Sequence, residues 1–235
     1  MPSIDLYNTG TDRYDELQAK RPDYVSARKV FIDLASHFLT GKTGISVADF
    51  CCGTGNNTEL IAGRFEVAKA TLIDINKEFL GLAKQSTLKG MVGELVTIQS
   101  DILNASVPSE NDIVISMFAY HHVPNQSKQK YIEVAKSALK RGGILVLGEI
   151  YSPNKETTLK YYADLWNAID PRVQTPALQT FLRQTAESED FEYKVSKQFA
   201  HDQLVEAGFE LLISQKIWPD TLDDVGTYVE VWKRE

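Results

Sequence analysis

The sequence predicts an α/β fold: a doubly wound, Rossmann-like, mostly parallel sheet of about seven strands, closed by an antiparallel C-terminal hairpin and covered by a helical cap. Three observations predict it. The apolar run Ile45–Phe50 ends in a turn with two glycines one residue apart, Gly53 and Gly55, and a helical pattern follows at once. Short apolar runs then alternate with amphipathic stretches as far as Gly148, the signature of βαβ units. The run Asp112–Met117 is continuously apolar at its centre, as a strand covered on both faces must be.

The elements follow in order. A polar, tyrosine-rich lead-in runs from Tyr7 to Tyr24 and is broken at Arg21-Pro22. Asp23 is then placed to cap a helix reaching about Leu39, with Val30, Phe31, Leu34, Ala35 and Phe38 on its apolar face. Strand one is Ile45–Phe50, followed by a helix over Asn57–Arg64. Strand two is Ala70–Ile75. Asn76 caps the next helix, with Glu78 in its first turn and Phe79, Leu80 and Ala83 inward, and Gly90 closes it. Strands three and four are Leu95–Gln99 and Asp112–Met117. A helix over Ser127–Lys140 ends at Gly142-Gly143, and strand five is Ile144–Gly148.

The stretch from Tyr151 to Lys197 has no clear strand. It reads as two helices, Lys155–Ala168 and Ala177–Ala186, carrying Tyr161, Tyr162, Trp166 and Phe181, with Phe191 and Tyr193 beyond them. Following strand five, these helices are placed to lean over the ligand face as a lid. Their aromatics either shape a pocket or form an ordinary core. A helix over Lys197–Ala207 and strands Phe209–Ile217 and Tyr228–Trp232 complete the chain.

Composition narrows the function. At 235 residues with 43% hydrophobic and 24% charged residues, the chain has an ordinary globular core within reach. No apolar run approaches the roughly 20 residues a bilayer span needs. The start, Met1-Pro2-Ser3-Ile4-Asp5, lacks a signal pattern, so the sequence reads as cytoplasmic with no membrane partner. A net charge of −7 and the lack of a dense Lys/Arg cluster argue against nucleic acid and mildly favour a cationic partner. The two cysteines, Cys51 and Cys52, are adjacent, which suits small turn residues better than a disulfide or zinc site. His37, His121, His122 and His201 show no HExxH or similar spacing, and no metal is expected. The oligomeric state stays open, a homodimer included.

In such sheets ligands sit outside the carboxyl ends of the strands. That rule gathers Asp49, Asp74, Asp101, the segment Ser116 to His122, and Glu149. Gly53-Thr54-Gly55-Asn56-Asn57-Thr58 has threonine where a dinucleotide site needs its third glycine, and no Walker lysine follows. A diphosphate is therefore disfavoured. Asp74, 19 residues after Gly55, is placed to accept a ribose diol, with Ile75 as an apolar seat for a base. Asp101 suits an adenine amino group and Ile102 the other ring face, while Asp49 orients turn amides or meets an ammonium. Each acid alone also suits a helix cap or a solvated loop. Together they fit a cationic adenosine ligand without phosphate.

Val47-Ala48-Asp49-Phe50-Cys51-Cys52-Gly53-Thr54-Gly55-Asn56-Asn57-Thr58 resembles the first motif of class I S-adenosylmethionine-dependent methyltransferases of the small-molecule type. It matches their Asp-x-Gly-x-Gly-x-Gly pattern at Asp49, Gly53 and Gly55 and departs at Cys51, where glycine is usual. Leu72-Ile73-Asp74-Ile75-Asn76 is similar to the ribose-binding second strand, and Gln99-Ser100-Asp101-Ile102 to the adenine motif. Ile115-Ser116-Met117-Phe118-Ala119-Tyr120-His121-His122-Val123 and the stretch from Leu139 to Leu147 resemble strands four and five. Arg13 to Leu17 and Arg21 to Tyr24, with Tyr14 and Tyr24, resemble the N-terminal cap.

The resemblance implies a cofactor, S-adenosyl-L-methionine, that leaves as S-adenosyl-L-homocysteine. It implies cofactor contacts at Tyr14, Tyr24, Asp49, Cys51, Gly53, Gly55, Asn56, Asp74, Ile75, Asp101, Ile102, Ser116 and Met117. It divides the chain into a cap and helix at 1–44, a cofactor-binding core at 45–150, a helical lid at 151–197, and a C-terminal helix with closing hairpin at 198–235. The implied reaction is in-line methyl displacement onto N or O of a small-molecule acceptor. His121, His122 and Tyr120 are the candidate catalytic groups, a histidine of near-neutral pKa serving as base where the acceptor must lose a proton. The rivals are an enzyme of the same fold that binds the cofactor without moving methyl, and a non-catalytic regulatory subunit. An RNA methyltransferase is disfavoured, since no Asn-Pro-Pro-Tyr motif follows strand four.

Overall fold

The structure, a computed structural model, describes residues 13–188 and 191–235, with the side chains of all of these but Thr87 and Phe191. Tyr7 and the Phe191 ring therefore lie outside the described residues. The chain runs α1 (Tyr14–Gln18), α2 (Pro22–Leu39), β1 (Ile45–Phe50), α3 (Asn56–Ala62), β2 (Val67–Asp74), α4 (Lys77–Gln85), β3 (Val92–Gln99) and β4 (Asn111–Met117). It continues with α5 (Lys128–Ala138), β5 (Leu139–Tyr151), α6 (Lys155–Ala168), α7 (Pro176–Glu187), α8 (Lys197–Glu206), β6 (Phe209–Trp218) and β7 (Gly226–Arg234).

The seven strands form one sheet in the order β3-β2-β1-β4-β5-β7-β6. β1, β2, β3, β4 and β5 pair in parallel, while β7 is antiparallel to both β5 and β6. The expected hairpin is present. Strand order reverses between β1 and β4, the switch point at which such sheets open a ligand crevice.

Alternation along the central strands feeds two cores. Val47, Ile113, Ile115 and Val146 pack with Ala27, Phe31, Ile32, Ala35 and Leu39 of α2 on one face. Ala48, Phe50, Val114, Leu145 and Leu147 pack with Tyr131, Ile132 and Ala135 of α5 and Leu204 of α8 on the other. Tyr161, Tyr162, Leu165, Leu178, Phe181 and Leu182 form a separate core within α6 and α7. The aromatics of that stretch are thus chiefly packing groups.

Three local expectations are corrected. Asp23 does not cap α2. Pro22 occupies the first turn, where its missing N–H costs nothing, and Arg21 precedes the helix. The Asp23 side chain is instead fully buried. Its Oδ2 accepts from Arg21 Nη2 at 2.7 Å and from Tyr161 Oη at 2.6 Å, and Tyr161 in turn meets Thr227 Oγ1 at 2.6 Å. Gly142 and Gly143 do not end a helix, because α5 stops at Ala138 and Leu139 already pairs with Asn111. The next pair is Ile113 with Ile144, so the extra residues of β5 loop out between them, with Gly142 at φ 71°. Finally, α4 ends at Gln85 rather than Gly90, and a short 3-10 turn over Thr87–Gly90 follows. The Asn76 cap is as expected: its side chain accepts from Glu78 N and Phe79 N.

Candidate active site

The turn after β1 bends sharply. Cys51 has φ 51°, Gly53 φ 54° and Gly55 φ 82°. A left-handed torsion explains why glycine is usual at position 51, and cysteine occupies it here under strain. A β-branched residue would suffer more. We expect Cys51→Val to cost about 2 kcal/mol in urea denaturation, and Cys51→Gly to stay within about 1 kcal/mol of wild type, relief of strain offsetting lost packing. A Cβ on Gly55 would come to 3.3 Å from Ala83 Cβ, so that glycine also lets α3 approach α4. Both cysteines are free. Burial, then the charges of Asp74, Asp49 and Asp101, push the Cys51 thiol up, which keeps it protonated and unreactive.

Asp74 ties this turn to the end of β2. Its Oδ2 accepts from Gly53 N and its Oδ1 from Asn76 N, both at 2.8 Å. Ile75 N adds a further backbone bond, and the acceptor capacity that remains suits a ribose hydroxyl. Ile75 beside it is 49% exposed, unusual for isoleucine and suited to a ring resting on it. Asp49, at the end of β1, is 1% exposed and accepts from Thr58 Oγ1 at 2.7 Å. Burial pushes its carboxyl up to about 7; the Thr58 bond opposes this and Asp74 adds to it. Asp101 is exposed. It caps the turn at Ile102–Asn104 through Leu103 N at 2.9 Å, and Ile102 is buried.

The cap closes on the same turn. Thr54 Oγ1 donates to Asp15 Oδ1 at 3.1 Å, and Tyr14 packs edge-on against Phe79. Tyr24 stacks on Phe118, whose own φ is 58°. A cleft of about 250 Å³ lies here, lined by Asp15, Ala19, Tyr24, Val25, Arg28 and Asn56. Arg28 was not anticipated. Its Nη2 donates to the Asn56 carbonyl at 3.1 Å, while its buried Nε meets no hydrogen-bond partner among the described residues. A guanidinium with a donor in reserve beside a cleft suits a carboxylate. Its place one helical turn after Tyr24 is the signal that could have revealed it.

At the end of β4 several of the predicted site residues are buried. The Ser116 side chain is fully buried and its hydroxyl meets Tyr131 Oη at 2.7 Å, so it does not face the crevice. Met117 is 6% exposed, its sulfur filling the space that a side chain at Gly148 would need. Tyr120 is buried in the core. Its ring lies over Lys128 Nζ and its hydroxyl donates to Gln203 Oε1 at 2.8 Å.

His121 is buried. Its Nδ1 meets Glu149 Oε1, and its backbone N–H donates to Glu149 Oε2 at 3.0 Å. His122 stacks edge-on against it. Burial, then His121, pushes His122 down to about 3, so it is not the near-neutral base expected. Glu192, 70 residues further on, reaches the same place. It is held well below the ordinary carboxylate range: burial works against this, and the nearby positive charges, Lys194 foremost, together with the Lys194 hydrogen bond outweigh it.

Residues 47–143 match a family model described as a methyltransferase domain. A methyltransferase of Anoxybacillus flavithermus is 30% identical over 120 residues, 49% of this chain and 51% of that one. The chain thus spans about half the length of that curated relative. Among solved structures, the magnesium protoporphyrin IX methyltransferase of Synechocystis, with bound S-adenosylhomocysteine, superimposes with TM-score 0.68 at 17% identity, over 98% of this chain and 97% of that one. The N-methyltransferase NodS of Bradyrhizobium japonicum, with the same product bound, gives TM-score 0.64 at 16% identity, over 98% and 95%. With the glycine turn and the acids that flank it, residues 47–143 are similar in sequence to a methyltransferase domain, and the chain shares the fold of these solved structures.

Proposed function

We propose that this chain moves the methyl group of S-adenosylmethionine to nitrogen or oxygen of a small-molecule acceptor. The observation that supports this reading best is Asp74, which braces the glycine turn through Gly53 N at the carboxyl end of β2, beside the exposed Ile75. The ribose lies on Asp74, the adenine on Ile75 with Asp101 and Ile102, and the methionine end in the cleft beside Asp49, Tyr24 and Asn56, its carboxylate toward Arg28. The sulfonium is already a strong electrophile, so positioning and water exclusion supply most of the chemistry.

The boundaries are part of the same reading. Residues 1–44 cap the cofactor, 45–150 hold it, 151–197 cover the acceptor and 198–235 complete the sheet. A small-molecule acceptor is favoured by the net charge of −7, and by the resemblance in fold to enzymes whose acceptors include a porphyrin. Among the described residues no helix is long and apolar enough to cross a membrane.

The test is transfer of label from methyl-labelled S-adenosylmethionine to candidate acceptors. Label in a small-molecule product supports the reading. Tight cofactor binding with no label in any product favours the rival, an enzyme or subunit that binds the cofactor without moving methyl.

Asp49 gives the site a pH signature. Its raised pKa means that the unliganded fold is favoured with Asp49 protonated; that contribution is lost as pH rises through about 7. The ammonium at the ligand's amino-acid end needs the carboxylate charged. Affinity for S-adenosylhomocysteine should therefore rise with pH, by up to about tenfold per unit below 7, and level off above. Calorimetry across pH checks this, and Asp49→Asn should flatten the profile.

A further inference from the structure

We propose that His121, His122 and Glu192 form a binding site for a divalent transition metal of the zinc type, at the acceptor side of the sheet. Each of the three brings one donor atom within 4.8 Å of the others. Two imidazoles and one carboxylate make the donor set of an open zinc site, in which three protein ligands leave a position for water or substrate.

The surroundings match what such ligands require. Metal-bound histidines hand their other ring nitrogen to a carboxylate or carbonyl, which fixes the tautomer. Here Glu149 takes His121 Nδ1 and also accepts from the N–H groups of His121 and Ile150, the last at 2.6 Å. Its carboxylate is thereby locked, and His121 is left Nε2 as the ligating nitrogen. Ligating carboxylates are themselves hydrogen-bonded. Glu192 Oε2 accepts from Tyr162 Oη at 3.3 Å and pairs with Lys194 Nζ. Glu192 and Tyr193 also hold consecutive left-handed torsions, φ 52° and 44°, that turn this carboxylate inward to zero exposure.

Donors on a tetrahedral ion with bonds of about 2.1 Å stand roughly 3.4 Å apart, so the three close by at most about 1.4 Å on loading. His122, less buried than the other two, has the most room to turn. Lys194 competes with the metal for Glu192, which gives the idea a sharp handle. Metal binding stands independently of methyl transfer; what the metal does rests on that reading. A metal-bound hydroxyl or thiol acceptor gives its proton to solvent. Its lone pair then forms the bond to the methyl carbon, as the carbon–sulfur bond breaks and its electrons return to sulfur.

The test uses the full chain stripped of metal and titrated with Co²⁺ and Zn²⁺. We expect one ion per chain, visible absorption from bound Co²⁺, and at least tenfold weaker binding in His122→Asn and in Glu192→Gln. Lys194→Met should bind more tightly, and its thermal stability should rise on adding Zn²⁺. S-adenosylhomocysteine affinity, measured on each variant without metal, reports that the fold is intact. Zn²⁺ binding by the wild type no tighter than by His122→Asn, or Co²⁺ bound with no visible bands, overturns the proposal. If Co²⁺ binds as expected but S-adenosylhomocysteine does not bind the wild type, it is the methyl-transfer reading that fails.

Discussion

Asp74→Asn is expected to lower affinity for S-adenosylhomocysteine by about a hundredfold or more. The carboxylate offers a diol two charge-assisted acceptors, each worth about 1.5–3 kcal/mol. The amide keeps one acceptor and turns a donor toward ligand and backbone alike. It also removes one of the two oxygens that accept from Gly53 N and Asn76 N, so the turn itself loosens. Calorimetry gives the affinity, and circular dichroism checks that the fold persists. An unchanged affinity would remove Asp74 from the ribose site and leave it a brace for the turn.

Asp23→Ala carries the largest expected effect on stability. Arg21 is 4% exposed and Asp23 fully buried, and Arg21 bonds Gln18 Oε1 at 3.0 Å as well as Asp23. Burial alone would raise the Asp23 carboxyl. The Arg21 charge and the bonds from Arg21 and Tyr161 outweigh it, and the group is held below its ordinary value. Removing Asp23 strands a guanidinium in the interior, which costs about 3–5 kcal/mol. For a domain of this size the loss corresponds to a fall in Tm of roughly 10 °C. Thermal denaturation measures it. The double variant Arg21→Met, Asp23→Leu should recover much of the loss, because it removes both charges together.

Asp23 also shows where sequence reading stops. Its place after Pro22 reads as a helix cap because local rules see only neighbours, while one of its partners, Tyr161, lies 138 residues away. The same limit hid Glu192 beside the two histidines. What local pattern does specify came through well. Apolar runs placed the central strands and the two strands of the antiparallel C-terminal hairpin. The acids fell at strand ends because strand ends are where a doubly wound sheet must put them. Gly142-Gly143 misled for a different reason. Glycine marks a change of backbone course, and composition alone does not separate a helix end from a bulge. Ser116 and Tyr120 are buried because a residue at a strand end still has two faces to choose from, and theirs is the face toward α5 and α8.

β7 follows β6 in the chain but lies between β5 and β6 in the sheet. A nascent chain that has emerged only through β6 therefore presents β5, Leu139–Tyr151, as an unpaired, largely apolar edge, with β6 having nothing beside it to zip onto. Gly226–Arg234 then enters as a wedge that saturates two ladders at once. Synthesis of this protein thus carries a window, from the emergence of β5 to that of β7, in which a holding chaperone has an edge to guard.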